Sequence, residues 1–300
     1  MVLSRERPSS EVSVLNPDAI VSPTLFTVRG RRIPTDDTPM LMGVLNVTPD
    51  SFSDGGRYLE PSAAVAHALA MVEQGANLID IGAESSRPGA SPVDEQEELH
   101  RLIPVVKAVS RETTVPVSVD TMKATVARRA LEAGASIVND ISALRWDPGM
   151  AQVVAEARAG LVLMHMQGWP ATMQRAPHYN DVVEDIRTFL SERLQAAIEA
   201  GVEREQILLD PGLGFGKTLE HNLILLKRLD AFLTLGRPIL VGASRKAFIG
   251  SVVNRPVDER LMGTAAAIVV AILHGAHIVR VHDVGAMRDV VKMVQAIRHA

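Results

Sequence analysis

The chain has 300 residues, 47% hydrophobic and 22% charged, with a formal net charge of -4 and no cysteine. That length allows a large core, the mild negative charge argues against nucleic-acid or membrane-surface binding, and disulfides, thiolate metal sites and thiol nucleophiles are excluded together. No apolar run approaches the roughly 20 residues of a membrane span, and the polar start with Arg5, Glu6, Arg7 and Pro8 is unlike a secretory signal, so a cytoplasmic protein is expected. Aromatics are only 3%, and an aliphatic core suits a parallel sheet buried on both faces.

Residues 1–24 are rich in Ser, Pro and charge without a sustained period, which predicts a disordered extension. Leu25–Val28, Arg29-Gly-Arg31 and Arg32-Ile33 predict a short hairpin. Apolar runs near 40–45, 77–82, 115–119, 136–140, 161–165, 207–210, 238–242 and 277–281 predict buried strands. Helical patterns lie between them: 63–74, 94–109, 122–133, a short one from Pro148 to Gly160, 182–200, 219–235, 260–273 and 286–298. Several stop at a glycine, as at Gly75, Gly134, Gly201, Gly236 and Gly275, the residue a left-handed helix cap favours. Eight strands alternating with eight helices, without a composition break, predict a single-domain (β/α)8 barrel over residues 25–300. A doubly wound open sheet is the second choice, but no Gly-x-Gly-x-x-Gly follows the first buried strand at Leu45.

In such a barrel the site forms where the strands end. Here the ends carry Asn46 with the polar stretch to Gly56, then Glu84-Ser-Ser-Arg87, Asp120, Asn139-Asp140, His165, Asp210, Gly242-Ala-Ser-Arg-Lys246, and Arg280-Val-His282. Asp120, Asn139 and Asp210 could converge on the barrel axis, where carboxylates and an amide suit a flat, nitrogen-rich heterocycle with N–H donors. Lys246, Arg280, His282 and Arg87 supply the opposite sign, and the first three come from the ends of strands seven and eight, where barrels often hold phosphate. Arg280 and His282 share a strand face; Asp283 and Asp140 should point to the other face and serve structure. Met164 and Phe215 read as packing walls, and His165 and His178 as core or loop histidines. Gly212 to Thr218 ends like a P-loop, but Pro211 stands where its first glycine should be.

Eight motifs then match one family in order. They are Gly43-Val-Leu-Asn-Val-Thr-Pro-Asp-Ser-Phe-Ser-Asp-Gly-Gly56, Glu84-Ser-Ser-Arg-Pro-Gly-Ala90, Ser118-Val-Asp-Thr121, Asn139-Asp-Ile-Ser142, Leu163-Met-His-Met-Gln-Gly168, Leu209-Asp-Pro-Gly-Leu-Gly-Phe-Gly-Lys-Thr218, Leu240-Val-Gly-Ala-Ser-Arg-Lys246 and Arg280-Val-His-Asp-Val284. From Leu25 onward the chain resembles the dihydropteroate synthases, folate-pathway (β/α)8 enzymes inhibited by sulfonamides. The resemblance implies a transferase that joins 6-hydroxymethyl-7,8-dihydropterin diphosphate to p-aminobenzoate, releasing diphosphate by dissociative loss before the aniline nitrogen attacks. It implies a pterin site of Asp120, Asn139, Ile141, Met164, Asp210, Phe215 and Lys246, with Asp120, Lys246, Arg280 and His282 as catalytic groups. Asn46 would be the Mg²⁺ ligand, and Asn46, Arg87, Arg280 and His282 would hold diphosphate. Ser86, Arg87, Pro88, Phe215, Ser244 and Lys246 would form the p-aminobenzoate and sulfonamide pocket. Thr48, Asp50, Ser51, Phe52, Ser53 and Asp54 fall in one mobile loop, residues 84–90 in another, and a homodimer through the later helices is implied. Ala83, Ser86, Ala143 and Ala247 are mild departures from the family pattern, and none removes a charge. A pterin-binding methyltransferase domain and an inactive pterin-binding homologue are the alternatives.

Overall fold

Every aliphatic run named above forms a strand of one sheet in the computed structural model, which describes residues 26–35, 38–48, 61–86 and 89–300. A hairpin of β1 (Phe26–Val28) and β2 (Arg31–Ile33), with Phe26 opposite Ile33, precedes it. The parallel strands are β3 (Met40–Asn46), β4 (Leu78–Gly82), β5 (Val117–Asp120), β6 (Ile137–Asp140), β7 (Gly160–Met164), β8 (Ile207–Asp210), β9 (Leu240–Val241) and β10 (Ile278–Val281). They pair in the order β8-β7-β6-β5-β4-β3-β10-β9. The two edges meet where the Leu209 N–H donates to the Pro238 carbonyl at 3.0 Å, beside a parallel Leu209–Ile239 bridge. The result is a nearly closed barrel.

Strand alternation divides the core in two. Outward side chains such as Leu45, Ile79, Val119, Val138, Leu163 and Val279 pack under the helices. Inward ones at the N-terminal end, Met42, Leu78, Ile137, Val162, Leu208 and Ile278, form a second cluster with Phe26, Val28 and Ile33. The hairpin therefore seals the bottom of the barrel, and each buried aliphatic side chain there contributes about 1.5–3 kcal/mol. Above that layer the interior turns polar.

Helices α1 (Pro61–Glu73), α2 (Glu95–Glu112), α3 (Ala124–Ala133), α4 (Met150–Ala157), α5 (Val182–Glu199) and α6 (Leu219–Lys227) follow β3 to β8 in turn. Helix α2 starts where its sequence says it should: the Asp94 side chain accepts the Gln96 N–H, and Glu95, Glu97 and Glu98 fill the first turn. The expected helix over 219–235 is instead broken, with α6 ending at Lys227 and a 3-10 turn over Leu229–Leu235. Helix α4 is capped by Arg158, at φ 48°, rather than by Gly160, which opens β7. Between β9 and the expected α8 (Leu261–Leu273) lies an unexpected short helix, α7 (Ala247–Val253), before α9 (Val284–Arg298) closes the fold. Among the described residues no helix is long and apolar enough to cross a membrane.

Candidate active site

The C-terminal ends of the strands put opposite charges within hydrogen-bond reach. Strand register aligns Asn46 with Gly82, Gly82 with Asp120, and Asp120 with Asn139. Gly82 gives Asp120 its room, since a Cβ there would stand 3.3 Å from the Cβ of Asp120. One turn of the pleat deeper, on β4, lies Asp80, fully buried. Its Oδ2 accepts from Arg280 Nε at 2.7 Å and from Asn139 Nδ2 at 3.0 Å. Arg280 also reaches Asp120, with Nη2 3.3 Å from Oδ2. The network runs Asn139, Asp80, Arg280, Asp120 across β6, β4, β10 and β5. Because the Asn139 amide nitrogen is committed to Asp80, its carbonyl oxygen is the atom left to face a ligand.

Burial and the neighbouring Asp80 raise the Asp120 carboxyl to about 7, against the opposing pull of Arg280. Burial also raises Asp210, at the end of β8, although Lys246 acts against it. The Asp210 Oδ1 accepts the Gly212 N–H at 2.7 Å, which folds the glycine-rich loop back over the barrel mouth. At Gly212, with φ +68°, a Cβ would fall 1.9 Å from the His165 carbonyl oxygen, so glycine is required. Burial lowers Lys246 to about 8, although Asp210 and Asp120 hold it up. The Lys246 ammonium donates to the Leu213 carbonyl and sits 4.5 Å from the centre of the Phe215 ring. Ile141, Met164, Met166 and Met173 form a small apolar cluster with Phe215 and Met122 packed against it. A polar floor, an apolar wall and a cation over an aromatic ring thus share one mouth.

His282 lies near this mouth, its Nδ1 3.0 Å from the Ser244 hydroxyl, which also accepts the His282 backbone N–H at 3.2 Å. Glu84, Ser85 and Ser86 border one cavity with Asp120, Thr121 and Ile141. Asp283 faces away and pairs with Arg245 at 2.5 Å, and Asp140 accepts from the backbone of Ser142 and Leu144 at 2.8 and 2.7 Å; both are structural, as strand alternation predicts. His165 points out of the barrel, with Nδ1 2.9 Å from Lys217 Nζ and its ring edge-on to Phe189. Thr48 is half-buried past β3, whereas Asp50, Ser51, Phe52, Ser53, Asp54, Arg87 and Pro88 lie outside the described residues. Among the described residues no group of three or more His, Asp or Glu side chains could hold a metal. Asn46 offers a single neutral carboxamide oxygen, a donor set that fits a hard cation arriving on a phosphate ligand and not one caged by protein.

A family profile described as pterin binding enzyme matches residues 42–282. The dihydropteroate synthase of Mycobacterium leprae is 49% identical over 267 residues, 87% of this chain and 94% of that protein. The chain belongs to the dihydropteroate synthases. Among solved members of that family, the Xanthomonas albilineans dihydropteroate synthase with 4-aminobenzoic acid superposes with a TM-score of 0.87 at 45% identity, covering 93% of this chain and 100% of that one. The same organism's enzyme in complex with 7,8-dihydropteroate gives 0.83 at 43% identity, covering 92% and 99%.

Within this dihydropteroate synthase barrel, strand-end reading missed Asp80. It sits two residues before the end of β4, in the run Leu78-Ile-Asp-Ile-Gly82. The available signal was the charge itself: a lone carboxylate inside an aliphatic parallel strand needs a buried cation or donors, and the period of two turns it to the same face as Leu78 and Gly82.

Proposed function

We propose that this chain catalyses the dihydropteroate synthase reaction of folate biosynthesis, joining 6-hydroxymethyl-7,8-dihydropterin diphosphate to p-aminobenzoate. The observation that carries this is the recessed Asp120, Asn139 and Asp210 set facing Lys246 and Arg280 at one barrel mouth. Asp120, Asp210 and the Asn139 carbonyl accept the pterin N–H donors, and Ile141, Met164 and Phe215 flank the ring. Arg280, held by Asp80, and His282, held by Ser244, bind the diphosphate with Arg87. Asn46 is the residue that would hold a Mg²⁺, which would supply charge neutralisation to the diphosphate when bound.

The C–O bond of the pterin methylene breaks with its electron pair leaving on diphosphate. The ionised Asp120 stabilises the cation left on the pterin. The aniline lone pair of p-aminobenzoate then forms the C–N bond, and the acidic anilinium proton passes to solvent. No enzyme nucleophile is needed, in keeping with a chain that has no cysteine.

Ser86, Pro88, Phe215, Ser244 and Lys246 form the aryl amine pocket, which is also where sulfonamides compete. Residues 25–300 act as one catalytic domain, in the cytoplasm, as a homodimer. Exposed apolar side chains on the later helices support the dimer, with Val252, Met262 and Met293 exposed by 57%, 79% and 62%. Asp120→Asn tests the mechanism: 7,8-dihydropteroate formation should fall at least about 100-fold. Near-normal turnover would remove Asp120 from the proposed role.

A further inference from the structure

The ammonium of Lys123 binds three points of one connection. Lys123 lies three residues past Asp120, in the loop from β5 to α3. Its Nζ donates to Glu84 Oε2 at 2.5 Å, to the Val93 carbonyl at 2.9 Å and to Glu98 Oε2 at 2.5 Å. Glu84 is the second residue of the β4–α2 connection, Val93 is the last but one, and Glu98 lies in the first turn of α2. One side chain thus spends all its donors on fastening both ends of that connection to the loop that follows Asp120. The side chains of Lys123, Glu84 and Glu98 are only 22%, 19% and 1% exposed, so solvent screens the pairs weakly. Arg101 adds a weaker tie from α2, donating to the Ala83 carbonyl at 3.4 Å.

The fastened connection matters to the site because Ser85 and Ser86, which follow Glu84, border the same cavity as Asp120 and Ile141. We infer that Lys123 is a positioning residue that sets where the β4–α2 connection stands against the pterin site, and so governs binding of the aryl amine. This rests on the proposed function, which puts the aryl amine against Ser86. Without the ammonium, Glu84 and Glu98 confront each other as two recessed acids and Val93 loses its donor, so both ends of the connection are released together. The ammonium stays charged: burial lowers the Lys123 pKa, but the bonds to Glu84 and Glu98 outweigh it and leave the group above its ordinary value, while burial raises the Glu98 carboxyl against the pull of Lys123. Asp120 keeps its own partner, Arg280, on the far side.

Steady-state kinetics of Lys123→Met, Lys123→Arg and Glu84→Gln test the inference, alongside calorimetry with 6-hydroxymethylpterin and thermal melting. In Lys123→Met the KM for p-aminobenzoate should rise roughly tenfold or more while pterin affinity stays within about threefold. Lys123→Arg, which keeps charge and donors, should recover most of that loss. Glu84→Gln leaves Lys123 paired with Glu98, so it carries the test if Lys123→Met fails to fold; its KM for p-aminobenzoate should rise several-fold. An unchanged KM in the folded variants overturns the inference, as does an equal loss of pterin affinity. If the wild-type protein itself makes no p-aminobenzoate-dependent product, the proposed function fails, a result distinct from failure of the clip alone.

Discussion

Replacing Asp80 with Asn should disturb the site more than its distance from any ligand-facing atom suggests. The carboxylate is fully buried and accepts at 2.7 Å from Arg280 and 3.0 Å from Asn139. Asparagine keeps the shape but removes the charge and puts a donor among donors. A hydrogen bond to a charged group contributes about 1.5–3 kcal/mol, and stranding one partner of a buried ion pair costs about 3–5 kcal/mol. Arg280 keeps Asp120 at 3.3 Å, which points to the lower end, about 2–3 kcal/mol of stability, or a melting temperature lower by roughly 4–10 °C. Arg280 and Asn139 would also lose their orientation; a comparable loss of transition-state stabilisation lowers kcat/KM by about 30- to 150-fold.

A second readout separates this from plain destabilisation. The negative charge of Asp80 helps raise Asp120 to about 7, so removing it should shift the acid limb of the kcat/KM profile to lower pH. Melting curves and pH–rate profiles of wild type and Asp80→Asn decide the matter. An unmoved acid limb together with a melting point unchanged to within about 1 °C would refute the reasoning.

The pH dependence of the wild type should follow from the same groups. Activity should rise as Asp120 ionises near pH 7 and fall as Lys246 loses its charge near pH 8, and Lys246→Arg should push the alkaline limb upward. The folded pKa of Asp120, about 7, stands above its ordinary 3.8. Its contribution to ligand-free stability is therefore full below the lower value and lost as pH rises through the higher one. Urea titrations from pH 4 to 8 should show that decline in the wild type and a flatter curve in Asp120→Asn.

The barrel was legible because parallel strands buried on both faces leave continuous aliphatic runs, and all eight runs became strands of the sheet. Helix α7 was not, because its seven residues are too few to show a helical period between the site loop at Lys246 and the left-handed Asn254. The break at Arg228 was hidden for a different reason: Leu225, Leu226, Leu229 and Phe232 are buried on both sides of it, so the apolar spacing continues where the helix does not.

Of the candidate site, the polar residues at strand ends were legible, since they stand out against aliphatic strands. Their connections were not. Asp80 joins Arg280 across 200 positions of sequence, and the three bonds of Lys123 reach back 25 to 39 positions. Such pairings depend on which strand ends and loops meet in the nearly closed barrel, and a list of residue types does not contain that.

Diphosphate release from 6-hydroxymethyl-7,8-dihydropterin diphosphate, measured with and without p-aminobenzoate and paired with detection of 7,8-dihydropteroate, tests the central claim most directly. The account predicts sustained release only when p-aminobenzoate is present, matched one for one by product. Binding of the pterin with no release in either condition would contradict it, as would release that p-aminobenzoate leaves unchanged.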